Sequence, residues 1–346
     1  MSQHHFRRVA AGLNVGPLVA ALVQRPGMWE IDTWRQDAPG SAHAATRSII
    51  LRGPKDITTA GVFHKTDTVD HEFSQNLLPE AEELVAELLP LTGAISIGRV
   101  MIVELPAGAS IDEHVDEGAY ADHFDRFHIC LQAGHVAFIA GEEMVEMKAG
   151  EAWWFDHKAP HRVDAHSGHA PRIHLIVDLV SPEYRALRSP DGISMQPETM
   201  ETFWDDGLPL FEKHWREIAH YQDILLEPDA DGYRRVEAAG MLRIYTVRKV
   251  PSWELIGYEL VFVRPNMHYR SSLMASQDVL FLAPEHRKGR LGMKLIDYAD
   301  SMLRREGVQV VAQHVKAAHN FGPLLERLGY ELQDLIYTRR LDRAKE

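Results

Sequence analysis

The sequence predicts two domains, an all-β jelly roll or barrel followed by an α/β domain. The chain has 346 residues, which is more than a single hydrophobic core usually supports. Short β-rich runs dominate the first half, whereas helical and strand patterns alternate in the second half. A loop-like stretch with two helix breakers separates the halves, so we expect domains at residues 1–190 and 191–346.

Composition and charge exclude several classes of function. Hydrophobic residues make up 45% of the chain and charged residues 25%, which is typical of a folded protein. The net charge of −13 repels a phosphate backbone, so nucleic acid is a disfavoured partner. A single cysteine, Cys130, excludes a disulfide framework and a multi-thiolate zinc site, and it fits a reducing compartment.

Targeting signals are also missing from the sequence. It has no secretory leader pattern and no apolar run long enough to span a bilayer. We therefore expect a cytoplasmic protein without a membrane partner, acting on a small molecule, an amino acid or a peptide. The oligomeric state is left open.

The predicted strands of the first half are short apolar runs, and turn residues separate these runs. The turns are Pro106-Ala107-Gly108, Ala140-Gly141 and Ala149-Gly150. Within residues 48–180, only residues 80–89 have the pattern of a helix. The predicted strands span residues 48–51, 100–105, 127–131, 135–139, 152–155 and 173–180.

The second half shows longer amphipathic segments. Helices are predicted from about residue 198 to 222, followed by strands within residues 240–282. A helix over Leu291–Arg305, a strand over residues 308–314, a further helix and a final strand complete the domain. This alternation is typical of an α/β fold.

Three side chains of the first half have the pattern of a metal site. His114 and Asp116 are two residues apart, so in a strand or its extension they project to the same face. His161, from a separate strand, would complete the set. Two imidazoles and one carboxylate leave positions open for a cosubstrate and oxygen, which suits Fe(II). The alternative is a set of ordinary polar loop residues, because the chain contains 20 histidines.

Arg172 stands at the start of an otherwise apolar strand, eleven residues after His161. A guanidinium there needs a partner, and it can form a bidentate pair with a carboxylate of a bound keto acid. The alternative partner is a local carboxylate, either Asp164 or Asp178.

Four motifs within residues 48–183 support a family resemblance. They are His114 after a Pro/Gly turn, Arg126-Phe127-His128, the run 150–156 that leads to His161, and the strand from Arg172 that closes with Ser181-Pro182-Glu183. This segment resembles the aspartyl/asparaginyl β-hydroxylase family of Fe(II)- and 2-oxoglutarate-dependent oxygenases. The resemblance implies a double-stranded β-helix of the jelly-roll or cupin type and hydroxylation of an amino acid, a peptide or a related small molecule.

The resemblance also implies roles for individual residues. His114 and His161 would bind iron, whereas Arg126, His128 and Arg172 would bind 2-oxoglutarate. Asp116 departs from the animal members, which have a glycine there. Coordination chemistry favours Asp116 as a third metal ligand, and the alternative is a nearby acid or a loop cap.

A strand, a glycine-containing turn and a helix opening follow one another in residues 278–296. Backbone amides of such a turn form an anion site, and three basic side chains surround it. The stretch resembles the coenzyme A pyrophosphate loop of GNAT acetyltransferases, in which Arg287 and Gly292 match and Arg290 departs. The predicted acetyl-CoA contacts are Leu282, Arg287, Lys288, Gly289, Arg290, Leu291, Gly292, Met293 and Asn320.

Catalytic residues of the second domain are less clear. Leu325 stands where many acetyltransferases carry a tyrosine acid, and core packing is the expected role of Tyr330 and Tyr337. Glu259 and His268 are candidate bases for an amine acceptor.

The sequence thus predicts a bifunctional enzyme that uses Fe(II), 2-oxoglutarate and acetyl-CoA. One alternative is a hydroxylase whose second domain only binds coenzyme A or substrate. Another is a metal-free binding domain of the cupin type.

Overall fold

The computed structural model describes residues 5–31, 33, 41–53, 78–164 and 169–342. Its strands form three sheets of six, four and five strands. The first two sheets use residues 6–180, and the third uses residues 193–312. Parts of the predicted first domain, residues 54–77 and 165–168 among them, lie outside the described residues.

The six-stranded sheet is antiparallel and has a fully buried central strand. That strand carries only buried side chains, because it pairs with a neighbour on each edge and is covered on both faces. In sheet order the strands are β1 (Phe6–Ala10), β8 (Ala152–Phe155), β5 (Asp125–Gln132), β10 (Arg172–Val180), β3 (Ser96–Leu105) and β2 (Arg47–Arg52).

Two helices cover the outer face of this sheet. They are α1 (Gly16–Gln24) and α2 (Pro79–Thr92), and their apolar side chains share one core cluster with Leu175 and Val177 of β10. Because neighbouring residues of a strand alternate between faces, Arg172 and His174 of the same strand face the other way. The polar residues of β10 are thereby directed to the inner face of the sheet.

A four-stranded antiparallel sheet packs against that inner face. Its strands are β4 (Ile111–His114), β9 (His161–Asp164), β6 (Ala137–Ala140) and β7 (Glu143–Val145). Leu105 and Phe155 of the larger sheet form a common cluster with Phe138 and Val163 of the smaller sheet. The two sheets therefore enclose a core, and the candidate site lies in it.

The third sheet is mixed and belongs to the second half of the chain. Its order is β11 (Ile193–Glu198), β12 (Leu242–Lys249), β13 (Leu255–Pro265), β14 (Leu273–Leu282) and β15 (Val308–Ala312). The pairings from β11 to β14 are antiparallel, and β14 pairs with β15 in parallel. The parallel ladder ends at the pair Ser276 and Ala312.

Helices lie on both faces of the third sheet. The chain first forms two short helices, α3 (Ala119–His123) and α4 (Pro182–Leu187). One face of the third sheet packs against the next helix, α5 (Met200–Ile218). The other face packs against α7 (Leu291–Arg305). Two shorter helices complete the domain, α6 (Ala230–Ala238) and α8 (Gly322–Arg327). The chain thus has two domains, in which mixed α/β structure surrounds largely antiparallel sheets.

A buried ion cluster joins the two halves. The guanidinium of Arg185 in α4 donates to Asp125 at 3.0 Å and, across the boundary, to Ser194 at 3.1 Å and Gln196 at 2.8 Å. His123 Nδ1 lies 2.7 Å from the carbonyl oxygen of Pro197. These contacts hold β11 against the first domain.

Several predicted element boundaries need correction. The strand expected at residue 135 begins at residue 137, because Gly134 and His135 adopt positive φ angles in a turn. The helix expected from residue 198 begins at Met200, since Glu198 still pairs in β11 and Thr199 caps the helix.

One further expectation about elements is wrong. The final strand is absent from described residues 330–342, which run outside the sheet with exposed apolar side chains. Helix α1 precedes the segment for which strands and helices are predicted in the first half. No helix in the described part of the chain is long and apolar enough to cross a membrane.

Candidate functional site

A cavity between the two sheets of the first domain collects most of the predicted polar residues. Its apolar wall consists mainly of Val103, Phe138, Phe155 and Ile176. The cavity is also lined by His43, His114, Arg126, His128, His161, Arg172 and His174. Residues from separate motifs therefore meet at one place.

His114 and His161 are direct cross-strand neighbours. They form a register pair between β4 and β9, and their ring centroids lie 4.2 Å apart. His114 Nδ1 lies 2.8 Å from the carbonyl oxygen of Asp112, and His161 Nδ1 lies 3.0 Å from that of Ala159. Because a carbonyl oxygen only accepts, each Nδ1 carries the proton and each Nε2 keeps its lone pair.

The lone pairs of these two rings are suited to a metal. Nε2 of His114 is buried and has no hydrogen-bond partner among the described residues. Burial lowers the pKa of His161, so its ring is neutral at physiological pH. Neutral imidazoles whose Nδ1–H is held by a carbonyl are the form in which histidine binds metals.

Asp116 lies beside His114, just beyond the end of β4. Its Oδ1 is 3.8 Å from His114 Nε2, and its Oδ2 accepts a hydrogen bond of 2.6 Å from Arg126 Nη1. Burial alone would raise the pKa of Asp116, but the positive charge of Arg126 brings it well below its usual value. The carboxylate is therefore ionised and fixed in place.

The ligand atoms of three residues, His43, His114 and Asp116, lie within 4.8 Å of one another. The predicted third ligand His161 is not part of this group, although its ring adjoins that of His114. Sequence reasoning missed His43, because it lies far upstream and forms no local spacing pattern with the other ligands. Only the pairing of β2 with β3 brings it to the site.

Arg172 is buried on the inner face without a carboxylate among the described residues. Asp164 pairs with Arg162 at 3.0 Å, and Asp178 pairs with Arg126 at 2.8 Å. The alternative that a local aspartate neutralises Arg172 is therefore wrong. Burial lowers the pKa of Arg172 to about 10, which leaves the guanidinium charged at neutral pH.

A chain of hydrogen bonds leads from Arg172 to His128. Arg172 Nε donates to His174 Nε2 at 3.2 Å, and Arg172 Nη2 lies 3.0 Å from His174 Nδ1. Arg172 Nη2 also lies 3.4 Å from His128 Nδ1. Because a guanidinium only donates, His128 accepts at Nδ1 and carries its own proton on Nε2. Nε2 of His128 is buried and has no partner among the described residues. The cavity thus offers a cation and a free N–H donor.

Arg126, a predicted 2-oxoglutarate contact, lines the cavity and already has two carboxylate partners. Its guanidinium donates to Asp178 at 2.8 and 3.0 Å and to Asp116 at 2.6 Å, so two carboxylates already balance its charge. Arg126 and Asp178 are register partners on β5 and β10. Arg126 therefore holds the Asp116 carboxylate in position.

Residues 52–182 match the family model described as Aspartyl/Asparaginyl beta-hydroxylase. This hydroxylase-family segment contains the predicted ligands His114, Asp116 and His161 together with Arg126, His128 and Arg172. His43 precedes it. No curated protein sequence matches the chain.

The second candidate site surrounds the start of α7, outside the hydroxylase-family segment. No side chain caps this helix, so its first backbone amides have no side-chain partner. Lys288 and Arg290 are exposed beside it. Arg287 instead donates from Nε to the carbonyl oxygen of Leu282 at 2.7 Å and from Nη2 to Glu217 at 2.7 Å. The positive charge of Arg287 is therefore already paired.

The remaining predicted acetyl-CoA contacts lie in the same region or, for Asn320, just before α8. Gly289 has a φ angle of 131°, a conformation that favours glycine, in the turn before α7. The Oδ1 atom of Asn320 accepts from the backbone N–H of Gly322, the first residue of α8, at 2.8 Å. Leu291, Gly292 and Met293 form the first turn of α7.

The two candidate bases, Glu259 and His268, lie in different parts of the second domain. Glu259 is 0% exposed within β13, and its Oε1 accepts from Gln313 Nε2 at 2.6 Å. Burial raises the pKa of Glu259 to about 8, and a protonated carboxyl cannot accept a proton. His268 lies in an exposed turn beyond the end of β13. These positions favour a structural role for Glu259.

The tyrosines of the C-terminal segment also differ from each other. Tyr330 is half-buried and donates to Asp300 at 2.7 Å. Tyr337 is 89% exposed, so the expectation that it packs in the core is wrong.

Solved acetyltransferases resemble the part of the chain outside the hydroxylase-family segment. An aminoglycoside acetyltransferase from an uncultured soil metagenomic sample shares 12% identity at a TM-score of 0.37, with 44% of this chain and 98% of that chain covered. A ribosomal-protein-alanine N-acetyltransferase from Brucella melitensis biovar Abortus 2308 shares 13% identity at a TM-score of 0.35, with 43% and 99% covered. A GCN5-related N-acetyltransferase from Ralstonia eutropha JMP134 shares 16% identity at a TM-score of 0.35, with 43% and 99% covered.

Proposed function

We propose that the first domain is an Fe(II)- and 2-oxoglutarate-dependent hydroxylase and that the second domain transfers an acyl group from acetyl-CoA. The observation that carries the first part is the buried guanidinium of Arg172, which has no carboxylate among the described residues and faces a cavity with two histidines suited to metal binding. A buried charge without a partner is costly, so a bound anion is the expected partner.

The fold proposed for this domain is the double-stranded β-helix. Two antiparallel sheets pack face to face and share one core, and the candidate ligands lie between them. This arrangement supports the jelly-roll topology that the sequence predicts.

The residues present fit a ferrous ion. His114 offers a buried Nε2 lone pair, Asp116 offers an ionised carboxylate, and His161 offers a neutral imidazole next to His114. Two histidines and one carboxylate are the donor set of oxygenase iron sites. When bound, the metal and the keto acid supply the oxidising chemistry that hydroxylates the substrate.

The chain itself supplies binding, orientation and a shielded pocket. Arg172 binds a carboxylate of 2-oxoglutarate, and the N–H of His128 donates a second hydrogen bond to it. His174 lies between the two side chains, with its Nδ1 3.1 Å from His128 Nδ1 and its Nε2 3.2 Å from Arg172 Nε. The apolar wall around Phe138 and Ile176 limits access of water.

The substrate class that we propose is an amino acid, a peptide or a related small molecule. The cofactors are Fe(II), 2-oxoglutarate and acetyl-CoA, and the cytoplasm is the proposed location. The domain boundary near residue 190 falls between α4 and β11, where one sheet system ends and the next begins.

A second candidate function makes the C-terminal domain a non-catalytic module that binds coenzyme A or substrate. Three observations favour it. Glu259 is buried and protonated, Arg287 is paired with Glu217, and Leu325 replaces the tyrosine expected at that place. Calorimetric titration with coenzyme A, alongside an assay for acetyl-CoA hydrolysis or transfer, separates binding from turnover.

The test of the hydroxylase is succinate formation. Purified protein is incubated in air with Fe(II), 2-oxoglutarate and pools of amino acids and short peptides, and succinate and product are quantified by NMR. We expect one succinate for each hydroxylated product. The variant Arg172→Met should form none, whereas Arg234→Met, at an exposed helix position, should match the wild type. Absence of succinate with every pool, in iron-replete protein, would contradict the proposal.

A further inference from the structure

His43 belongs to none of the motifs that predicted the site, yet it lies among the metal ligands. Its ligand atom lies within 4.8 Å of those of His114 and Asp116. Its ring meets the ring of His114 edge-on, with centroids 4.7 Å apart. His43 also lines the cavity that contains Arg172.

A hydrogen-bonded turn holds the backbone of His43 in this position. The backbone N–H of His43 donates to Ser41 Oγ at 3.1 Å, and its carbonyl oxygen accepts from Thr46 Oγ1 at 2.7 Å and from Thr46 N–H at 2.9 Å. Thr46 is fully buried, and Ala42 packs against the cluster between the sheets. The turn leads directly into β2, which pairs with β3. The backbone position of His43 is therefore set by packing and hydrogen bonds, and these contacts do not involve its ring.

A fourth protein ligand conflicts with the open positions that the proposed reaction needs. A site with two histidines and one carboxylate leaves three positions of an octahedron for a bidentate keto acid and oxygen. Coordination by His43 would occupy one of these three. With the keto acid chelated as well, all six positions would be filled, so His43 must leave before oxygen can bind.

We propose that His43 binds the metal in the absence of 2-oxoglutarate and leaves it when 2-oxoglutarate binds. The inference rests on the proposed function of the same site. His43 is held by a turn outside the sheets, whereas His114 and His161 are fixed by strand pairing, so His43 is the ligand that can withdraw. The exchange replaces a neutral imidazole by an anionic chelate, and no proton or electron moves.

The positive charges in the cavity favour replacement of His43 by 2-oxoglutarate. The metal dication with Asp116 alone retains a positive charge, and Arg172 adds another charge in the same cavity. A dianionic keto acid neutralises both, whereas the imidazole of His43 neutralises neither. In the resting protein His43 would keep one position from water and oxygen until the cosubstrate arrives.

Thermodynamic linkage makes the proposal measurable. If His43 and 2-oxoglutarate compete for the metal, removal of His43 must weaken metal binding and strengthen 2-oxoglutarate binding by the same factor. We expect His43→Ala to bind Co(II) at least about 10-fold more weakly than the wild type without 2-oxoglutarate. With saturating 2-oxoglutarate the two proteins should bind Co(II) equally.

The experiment uses the full chain, with Co(II) affinity measured by competition against a chelating dye and the visible Co(II) spectrum as a second readout. Wild type and His43→Ala should differ in spectrum without 2-oxoglutarate and coincide with it. His169→Ala is the matched control, since His169 is exposed. His43→Gln repeats the test if the alanine variant unfolds, which the thermal midpoint of the metal-free protein reports.

The outcomes separate this inference from the proposed function. If the wild type binds no Co(II), the proposed metal site itself is contradicted. Normal Co(II) binding by the wild type with unchanged binding by both His43 variants would overturn the role of His43 alone. Equal weakening with and without 2-oxoglutarate would make His43 a permanent ligand, and it would overturn the exchange.

Discussion

Arg126 Nη1 lies 2.6 Å from Asp116 Oδ2, and this ion pair fixes the carboxylate beside His114. The same guanidinium also binds Asp178, which accepts a further hydrogen bond from the Tyr120 hydroxyl at 3.0 Å. Arg126 therefore acts as a bridge between the six-stranded sheet and the candidate metal ligand. Of its two carboxylate partners, Asp178 has a side chain that is 1% exposed and Asp116 one that is 15% exposed.

Removal of Arg126 should weaken metal binding and destabilise the fold. We expect Arg126→Gln to lower metal affinity about 10- to 100-fold, because Asp116 loses the group that orients it. The free energy of unfolding should fall by about 3–5 kcal/mol, since Asp178 stays buried without its cation. Metal titration and urea unfolding measure the two effects. Arg234→Gln, which removes an exposed arginine, should change neither.

His128 is predicted to act on 2-oxoglutarate through its Nε2–H. His128→Phe keeps the ring packing against Phe155 and removes the donor, so affinity for 2-oxoglutarate should fall by about 1–3 kcal/mol. Metal affinity should stay the same, because His128 is outside the group of ligand atoms. Calorimetric titration of the metal-loaded protein measures the change. Unaltered 2-oxoglutarate affinity in a folded variant would argue against a contact with His128.

Acid should weaken the contact between the two domains through His123. Burial lowers the pKa of His123 to about 4, so the folded protein keeps this ring neutral while the unfolded chain protonates it near pH 6.5. The unfolded state then binds more protons, and stability falls as the pH drops from 6.5 towards 4. The expected loss from this residue between pH 7 and pH 5 is about 2 kcal/mol.

The variant His123→Gln tests this dependence. Glutamine keeps a hydrogen-bond donor for the Pro197 carbonyl and does not titrate. Urea unfolding at pH 7 and pH 5 should show a smaller loss in the variant than in the wild type. Identical losses in both proteins would assign the acid sensitivity to other groups, such as the buried pair of Asp125 and Arg185.

Ionisation of Glu259 should lower the free energy of unfolding at alkaline pH. Its pKa is raised to about 8 by burial, so the folded state binds a proton that the unfolded chain has already released above about pH 4.5. Stability from this group therefore falls as the pH rises from 4.5 to 8. Glu259→Gln should be more stable than the wild type at pH 8 by a few kcal/mol, with a much smaller difference at pH 5. A difference that does not vary with pH would contradict this account.

The sequence predicted the parts of the site that local patterns encode. The two-residue spacing of His114 and Asp116 and the arginine at the start of β10 are visible along the chain. The structure brings His114 and Arg172 to one cavity, with Asp116 beside His114. The strand assignments came from alternation and turn residues, and most deviate from the structure by a few residues at their ends.

The other parts depend on pairings between distant segments. His43 reaches the site only through the pairing of β2 with β3, and Arg126 meets Asp178 only through the register of β5 and β10. A sequence pattern contains neither register. The burial of Glu259 likewise depends on how α7 and the segment around Gln313 cover the third sheet.

The central claim is that the cavity binds Fe(II) and 2-oxoglutarate together, with Arg172 on a carboxylate. The most direct test adds 2-oxoglutarate to anaerobic, Fe(II)-loaded protein and records the visible charge-transfer absorption of the chelated metal. The account predicts a band in the wild type and in Arg234→Met, and its loss in Arg172→Met at the same 2-oxoglutarate concentration. Absence of the band in iron-replete wild-type protein, or an undiminished band in Arg172→Met, would contradict it.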